Sequence, residues 1–194
     1  MAPRDAEGTR RRLLEAAAAE FAELGISGAR VDRIATAART NKAQIYHYFG
    51  SKDGLFAAVL ATLAHEILES DPFDAGDLGE TAGRIFDDFE DRPDLARLAT
   101  WYRLERSQGD PPDAAIVEAN GRKVAAIRAA QRDGRVTDAF PADVLLGLLI
   151  SVATTWASLP PEYTPSARNN TRPRRRAAVV EAARRLAAPD PTSG

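Results

Sequence analysis

The 194-residue sequence contains no cysteine, which removes disulfides, thiolate nucleophiles and cysteine-ligated metals together. Histidine is scarce as well. His47 and His65 fall on different predicted helices, so zinc chemistry has almost no material. Neither a phosphate-cradling glycine loop nor a dinucleotide fingerprint occurs. Acidic pairs such as Asp87-Asp88 and Asp91-Asp94 read as a solvated helix face rather than as an acid–base couple. No catalytic residue, metal site or cofactor is therefore predicted, and an enzyme is the class most directly excluded. Long apolar runs are missing too. The longest, Val144 to Ala153, is interrupted by Gly147 and Ser151 and reads as a core helix, not a membrane span. The start, MAPRDAEGTRRR, has no apolar signal region, so a cytoplasmic protein without a membrane partner is expected.

What is present suits a folded helical protein. Hydrophobic residues make up 44% and charged residues 28%, which argues against global disorder. Net charge is −2, so bulk electrostatics announce no nucleic-acid binding, but the distribution is uneven. Residues 1–60 carry nine Lys/Arg against seven Asp/Glu, whereas 71–113 carry five against twelve. The amino-terminal third is the part compatible with phosphate. Only three lysines accompany 23 arginines, and two of them, Lys42 and Lys52, lie in one short stretch.

That stretch, Ala29 to Leu55, organises the chain. Val31, Ile34 and Ala35 give a first short helix an apolar face. Ala38-Arg39-Thr40 leaves about three residues to turn, the length of a helix-turn-helix corner. Asn41 is a strong N-cap for a second helix, whose apolar stripe is Ile45 and Phe49. Its outward face carries Lys42, Gln44, Tyr46 and His47, a hydrogen-bonding and phosphate-seeking set on a helix short enough to enter a major groove. Gln44 can bond bidentately to adenine N6/N7, which makes it the first choice for base reading. The chain turns at Gly50, and Ser51 caps the next helix.

At these residues the chain resembles the TetR family of transcriptional regulators. The resemblance rests on Lys42-Ala43-Gln44-Ile45-Tyr46-His47-Tyr48-Phe49 followed by Ser51-Lys52-Asp53 and Leu55-Phe56, with Ala17–Gly25 and Val31–Ala35 upstream. It covers roughly residues 9–65, and the remainder matches in helical architecture only. The resemblance implies that Lys42 contacts DNA at the start of the recognition helix and that Lys52 contacts phosphate at the next helix's N-terminus. Tyr46 and His47 match positions that meet phosphate or base edges, while Tyr48 could contact DNA or pack. The DNA-facing set is Arg30, Thr40, Asn41, Lys42, Ala43, Gln44, Tyr46, His47, Tyr48 and Lys52. Three positions depart from the family pattern. Arg30 stands where a Ser or Thr cap is usual, Arg39 where Gly is usual, and Thr40 where a small apolar residue is usual. A lost cap and a looser corner follow as expectations.

An all-α fold is expected, with residues 1–69 as the DNA-binding domain (helix-turn-helix about 30–49) and 70–194 as a ligand-sensing and dimerisation domain. Residues 1–8 should be mobile, with Thr9 capping a first helix that Gly25 stops. Arg10, Arg11 and Arg12 could touch a DNA backbone or form a solvated first turn. A helix over 52–69 links the domains, and Ser70–Gly76 is the boundary. Helices follow near 77–91, from Pro93 to before Gly109, after an Asp110–Asp113 turn over 113–133, over 141–158, and, beyond a loop at 159–171, over 172–188. Phe86, Phe89, Trp101, Tyr102, Phe140 and Trp156 could line a small-molecule pocket or be plain core. The helix at 141–158 is apolar around its circumference, and the last helix carries a compact seam. Leu145, Leu149, Val152, Trp156, Val179, Val180, Ala183 and Leu186 are the expected homodimer interface. The functional expectation is a ligand-responsive repressor that binds a palindromic double-stranded operator as a dimer. Its rival is a helical small-molecule-binding protein that does not read DNA.

Overall fold

A computed structural model of the chain describes residues 3–70, 73–105, 114–160, 162–163 and 170–189. Among them are ten helices and no strand: α1 (Pro3–Gly28), α2 (Val31–Ala37), α3 (Lys42–Phe49), α4 (Lys52–Ser70), α5 (Leu78–Asp91), α6 (Pro93–Glu105), α7 (Ala114–Arg132), α8 (Ala142–Ala153), α9 (Thr155–Ser158) and α10 (Arg172–Ala187). The expected Asp110–Asp113 turn and most of the 159–171 loop lie outside the described residues, as do Asp71 and Pro72 of the expected boundary. The described residues divide into two compact units. One runs to Leu68 and takes in α6 from Asp94 onward; the other comprises Glu69–Pro93 and the chain from Ala114.

In the first unit, α1 buries Leu13, Ala17 and Phe21, the one-face spacing that the sequence suggests. Ile34 of α2, Ile45 of α3, and Leu55, Phe56 and Val59 of α4 are buried with them. Phe21 meets Phe56 edge-on at 5.1 Å between centroids. Helix α1 begins at Pro3, ahead of the expected cap Thr9. Proline suits a first helical turn, where it has no hydrogen bond to lose, and the Tyr48 hydroxyl donates to the Ala6 carbonyl at 3.3 Å. Thr9 is buried and accepts from Arg12 Nη2 at 2.9 Å. Gly25 interrupts α1 in the left-handed region (φ 67°), and a Cβ there would lie 2.9 Å from the Trp101 ring of α6.

In the second unit, Leu78, Ala82 and Phe86 of α5, Ile127 of α7, Leu145, Leu146 and Leu149 of α8, and Val179 and Ala183 of α10 form one core. Helix α10 packs along α5. Gly79 and Gly83 permit the approach: a Cβ on Gly83 would sit 2.8 Å from Val180 Cγ2. The expected 141–158 helix is two, α8 and α9, divided at Thr154. Ser151, Thr154 and Thr155 hydroxyls donate to carbonyls one turn back, at 2.8, 2.8 and 2.9 Å. Such back-bonding bends helices.

The acidic face of α5 is not left to solvent. Arg172 Nη2 donates to Asp91 Oδ2 at 2.9 Å and to Asp87 Oδ1 at 3.2 Å, and Arg176 Nε to Asp87 Oδ2 at 2.6 Å. Arg176 also pairs with Glu80, and Arg175 with Glu90. These pairs correct the reading of Asp87 and Asp91 as merely solvated.

Candidate nucleic-acid interface

Helix α3 begins as its sequence dictates. The Asn41 side chain accepts from Gln44 N at 3.2 Å, supplying the N-cap bond. The corner before it is tight rather than loose. Arg39 takes the left-handed conformation (φ 53°) that the family pattern gives to glycine. Its N–H donates to Thr36 O at 3.0 Å and that of Thr40 to Ala35 O at 2.9 Å. These are the two bonds of a Schellman motif, closed here by arginine. Arg12 Nε donates to the Ala38 carbonyl at 3.3 Å, so this arginine braces the corner instead of reaching outward.

At the other end, Gly50 is left-handed (φ 74°) and Ser51 Oγ accepts from Gly54 N at 2.9 Å, capping α4 as expected. A Cβ on Gly54 would fall 2.1 Å from the Phe49 carbonyl oxygen, so glycine lets α4 start hard against the end of α3.

Arg30 is the N-cap residue of α2 and makes no side-chain cap bond, as the substitution of Ser or Thr implied. Glu20 of α1 compensates in part. Its Oε1 accepts from the Arg30 N–H at 2.9 Å and from Arg33 Nε at 2.8 Å. A capping box makes the first of these bonds from within one helix; here the carboxylate comes from another.

The predicted DNA-facing residues separate by exposure. Arg30, Asn41, Lys42, Ala43, Tyr46 and His47 are exposed, and Gln44 and Thr40 are half-buried. Lys42 Nζ lies 3.4 Å from Asp32 Oδ1. Tyr48 is half-buried, and its hydroxyl donates to the Ala6 carbonyl of α1. Lys52 is half-buried and donates to the Ala29 carbonyl at 3.3 Å, which ties the start of α4 to the α1–α2 link. Of the three amino-terminal arginines, Arg10 lies over the Phe49 ring at 5.6 Å and Arg11 pairs with Glu15 at 3.6 Å. Glu20 and Asp32, and the bracing role of Arg12, escaped the sequence reading. No local pattern marks them, because their partners lie on other helices.

Two family models match the chain: "Bacterial regulatory proteins, tetR family" over residues 13–59, and "Tetracyclin repressor-like, C-terminal domain" over residues 77–185. The chain belongs to the TetR family. It is 45% identical over 163 residues to the HTH-type transcriptional repressor SCO4008 of Streptomyces coelicolor, covering 84% of each chain. It is 46% identical over 55 residues to the HTH-type transcriptional repressor NicS of Pseudomonas putida, 28% of this chain and 26% of that one. A crystal structure of the Streptomyces coelicolor transcriptional regulator SCO4942 superposes with a TM-score of 0.79 at 38% identity, covering 94% of this chain and 99% of that one. This TetR-family chain is thus a helix-turn-helix transcriptional regulator and not an enzyme. Among its described residues no helix is long and apolar enough to cross a membrane.

The other predicted sites fall as follows. Phe86, Phe140 and Trp156 join the core of the second unit, and Phe89 is half-buried on α5. Trp101 and Tyr102 sit half-buried on α6, which groups with the first unit. Of the residues expected at a dimer interface, Leu145, Leu149, Val179, Val180 and Ala183 are buried within the single chain, and Val152, Trp156 and Leu186 are partly so. Beside Asp143, α8 leaves Val144, Gly147, Leu148, Ile150 and Ser151 exposed; α10 leaves Ala177, Ala178 and Ala182 exposed among Pro173, Glu181 and four arginines.

Proposed function

We propose that this TetR-family regulator is a repressor that binds a palindromic operator as a homodimer and is released by a small molecule. The observation that carries the DNA reading is the exposed face Asn41–His47 of a capped α3, locked at both ends by the Arg39 corner and by Gly54. On this reading Gln44 reads a base edge, while Lys42, Tyr46 and His47 meet phosphate or base edges. Arg30 and Lys52 meet the backbone, Lys52 with the donors that Ala29 leaves free. Thr40, Asn41 and Ala43 line the approach. Relatives named as transcriptional repressors support the sign of regulation.

One recognition helix reads too few bases, and a two-fold dimer reads two half-sites about one helical turn, ~34–36 Å, apart or a multiple of it. The surface for that pairing is the exposed strip Val144, Leu148 and Ser151 of α8 beside Ala178 and Ala182 of α10. The residues first expected there supply the core beneath. The ligand, apolar or with a single charged group, binds the second unit. Helix α4 is the transmitter, since it runs through Leu68, where the two units divide. Release requires different ligand affinity for two conformations.

A selection of bound duplexes from genomic DNA tests the reading. A palindromic consensus is the expected outcome; recovery of unenriched sequence would favour the rival, a helical binding protein that does not read DNA.

A further inference from the structure

We propose that Asp32 limits how tightly the helix-turn-helix holds DNA, by competing with phosphate for Lys42. The inference rests on the reading that Lys42 meets the DNA backbone. Asp32 lies in the first turn of α2, and Lys42 opens α3 across the corner, with Oδ1 and Nζ 3.4 Å apart. Both side chains are more than half exposed, at 66% and 62%. Asp32 also lines a hollow of about 380 Å³ on the outward face of α2, with Arg30, Arg33, Thr36 and Ala37. It is the single carboxylate among these lining residues. The Arg33 guanidinium beside it is already taken by Glu20 at 2.8 Å, so Lys42 is the cation that neutralises it.

A phosphate that reaches Lys42 must displace this carboxylate and then remains a few ångströms from it. Two unit charges about 6 Å apart in water repel enough to shift an equilibrium about threefold. Flanking phosphates add to that, bringing the effect towards tenfold. The penalty falls on operator and random duplex alike, because both meet the protein through phosphate. Asp32 thus sets the strength of binding, while base contacts set its place. Holding random binding down leaves more of the protein free to search.

The test measures affinity for a duplex selected by the wild type and for a random duplex, across a salt series. The chains are wild type, D32N, K42Q, the double variant D32N/K42Q, and D53N, which removes an exposed acid from the first turn of α4. Circular dichroism checks that each folds. D32N is expected to bind both duplexes about three- to tenfold more tightly, with a salt slope steeper by up to about one. The gain should shrink when K42Q is also present, because only the direct repulsion between Asp32 and phosphate then remains to be relieved, and D53N should not reproduce it. Unchanged or weaker binding by D32N, an equal gain in the K42Q background, or an equal gain from D53N would each overturn the proposal. If K42Q weakens binding while D32N does nothing, only the role of Asp32 fails. If K42Q binds like wild type, the reading of Lys42 fails and takes this inference with it.

Discussion

Arg39 is the residue at which this chain departs most visibly from the physics of its own fold. A left-handed non-glycine residue costs about 1–2 kcal/mol, and Arg39 holds φ 53° with both following bonds of the corner made. Arg39→Gly should therefore stabilise the protein by about 1 kcal/mol, less the extra entropy glycine carries in the unfolded chain. Denaturant unfolding measures this, and a loss of stability would mean that the guanidinium does something the backbone cannot explain. The sequence identified the unusual residue but suggested a loose corner. The bonds that close it are local but need arginine in the conformation glycine usually takes, and the added brace from Arg12, 26 positions away, leaves no local signal. The same holds for Glu20, which meets Arg30 and Arg33 from α1. Asn41 was legible because its partner, Gln44, is three residues on and the N-cap pattern is local.

Helix starts and close approaches decide the elements. Gly54→Ala would place a methyl 2.1 Å from the Phe49 carbonyl oxygen, which belongs to backbone that cannot swing aside. A loss of about 1–3 kcal/mol is expected, as for other overpacked sites, together with weaker DNA binding as α3 shifts. Thermal unfolding and a DNA titration check both; a stable, fully binding variant would show that the α3–α4 junction tolerates movement. In the second unit, Asp77 caps α5. The Glu80 N–H, at 2.9 Å, and the Arg184 guanidinium hold its carboxyl below the ordinary 3.8. A carboxylate with a depressed folded pKa contributes stability above its unfolded value and loses it as pH falls through the folded value. Stability should thus decline below about pH 4, and less steeply in Asp77→Asn, which keeps a cap but does not titrate. Equal acid slopes in the two proteins would refute the assignment. Element periodicity gave α5 and α10 correctly, but the pairs that join them, such as Arg172 with Asp87 and Asp91, span more than 80 residues and leave no local signature. The division of α8 from α9 was hidden for a different reason: Ser151, Thr154 and Thr155 fit a continuous helix until their hydroxyls turn back on it.

For the molecule as a whole, the apolar circumference of α8 pointed to more burial than one chain supplies, yet it did not say which residues face which side. The core takes Leu145 and Leu149, so a charge there would unfold the second unit rather than separate two protomers. The informative substitution is Leu148→Glu, on the exposed strip. It should leave helical content intact, convert dimer to monomer by sedimentation, and lower operator affinity at least about tenfold, since one half-site is lost. A wild type that sediments as a monomer yet binds a palindrome tightly would remove the dimer from the account. The central claim, that the outward face of α3 reads sequence, has a more direct test in a fluorescence-anisotropy titration. Wild type and Gln44→Ala would each be titrated on a selected duplex, on its single-base variants and on random DNA, at one fixed salt concentration. The account predicts wild-type binding to the selected duplex at least about 10³-fold tighter than to random DNA. It also predicts that Gln44→Ala loses ~1–3 kcal/mol of discrimination at one base position and little elsewhere. Equal wild-type affinity for selected and random duplex, or a Gln44→Ala profile identical to wild type at every base, would contradict it.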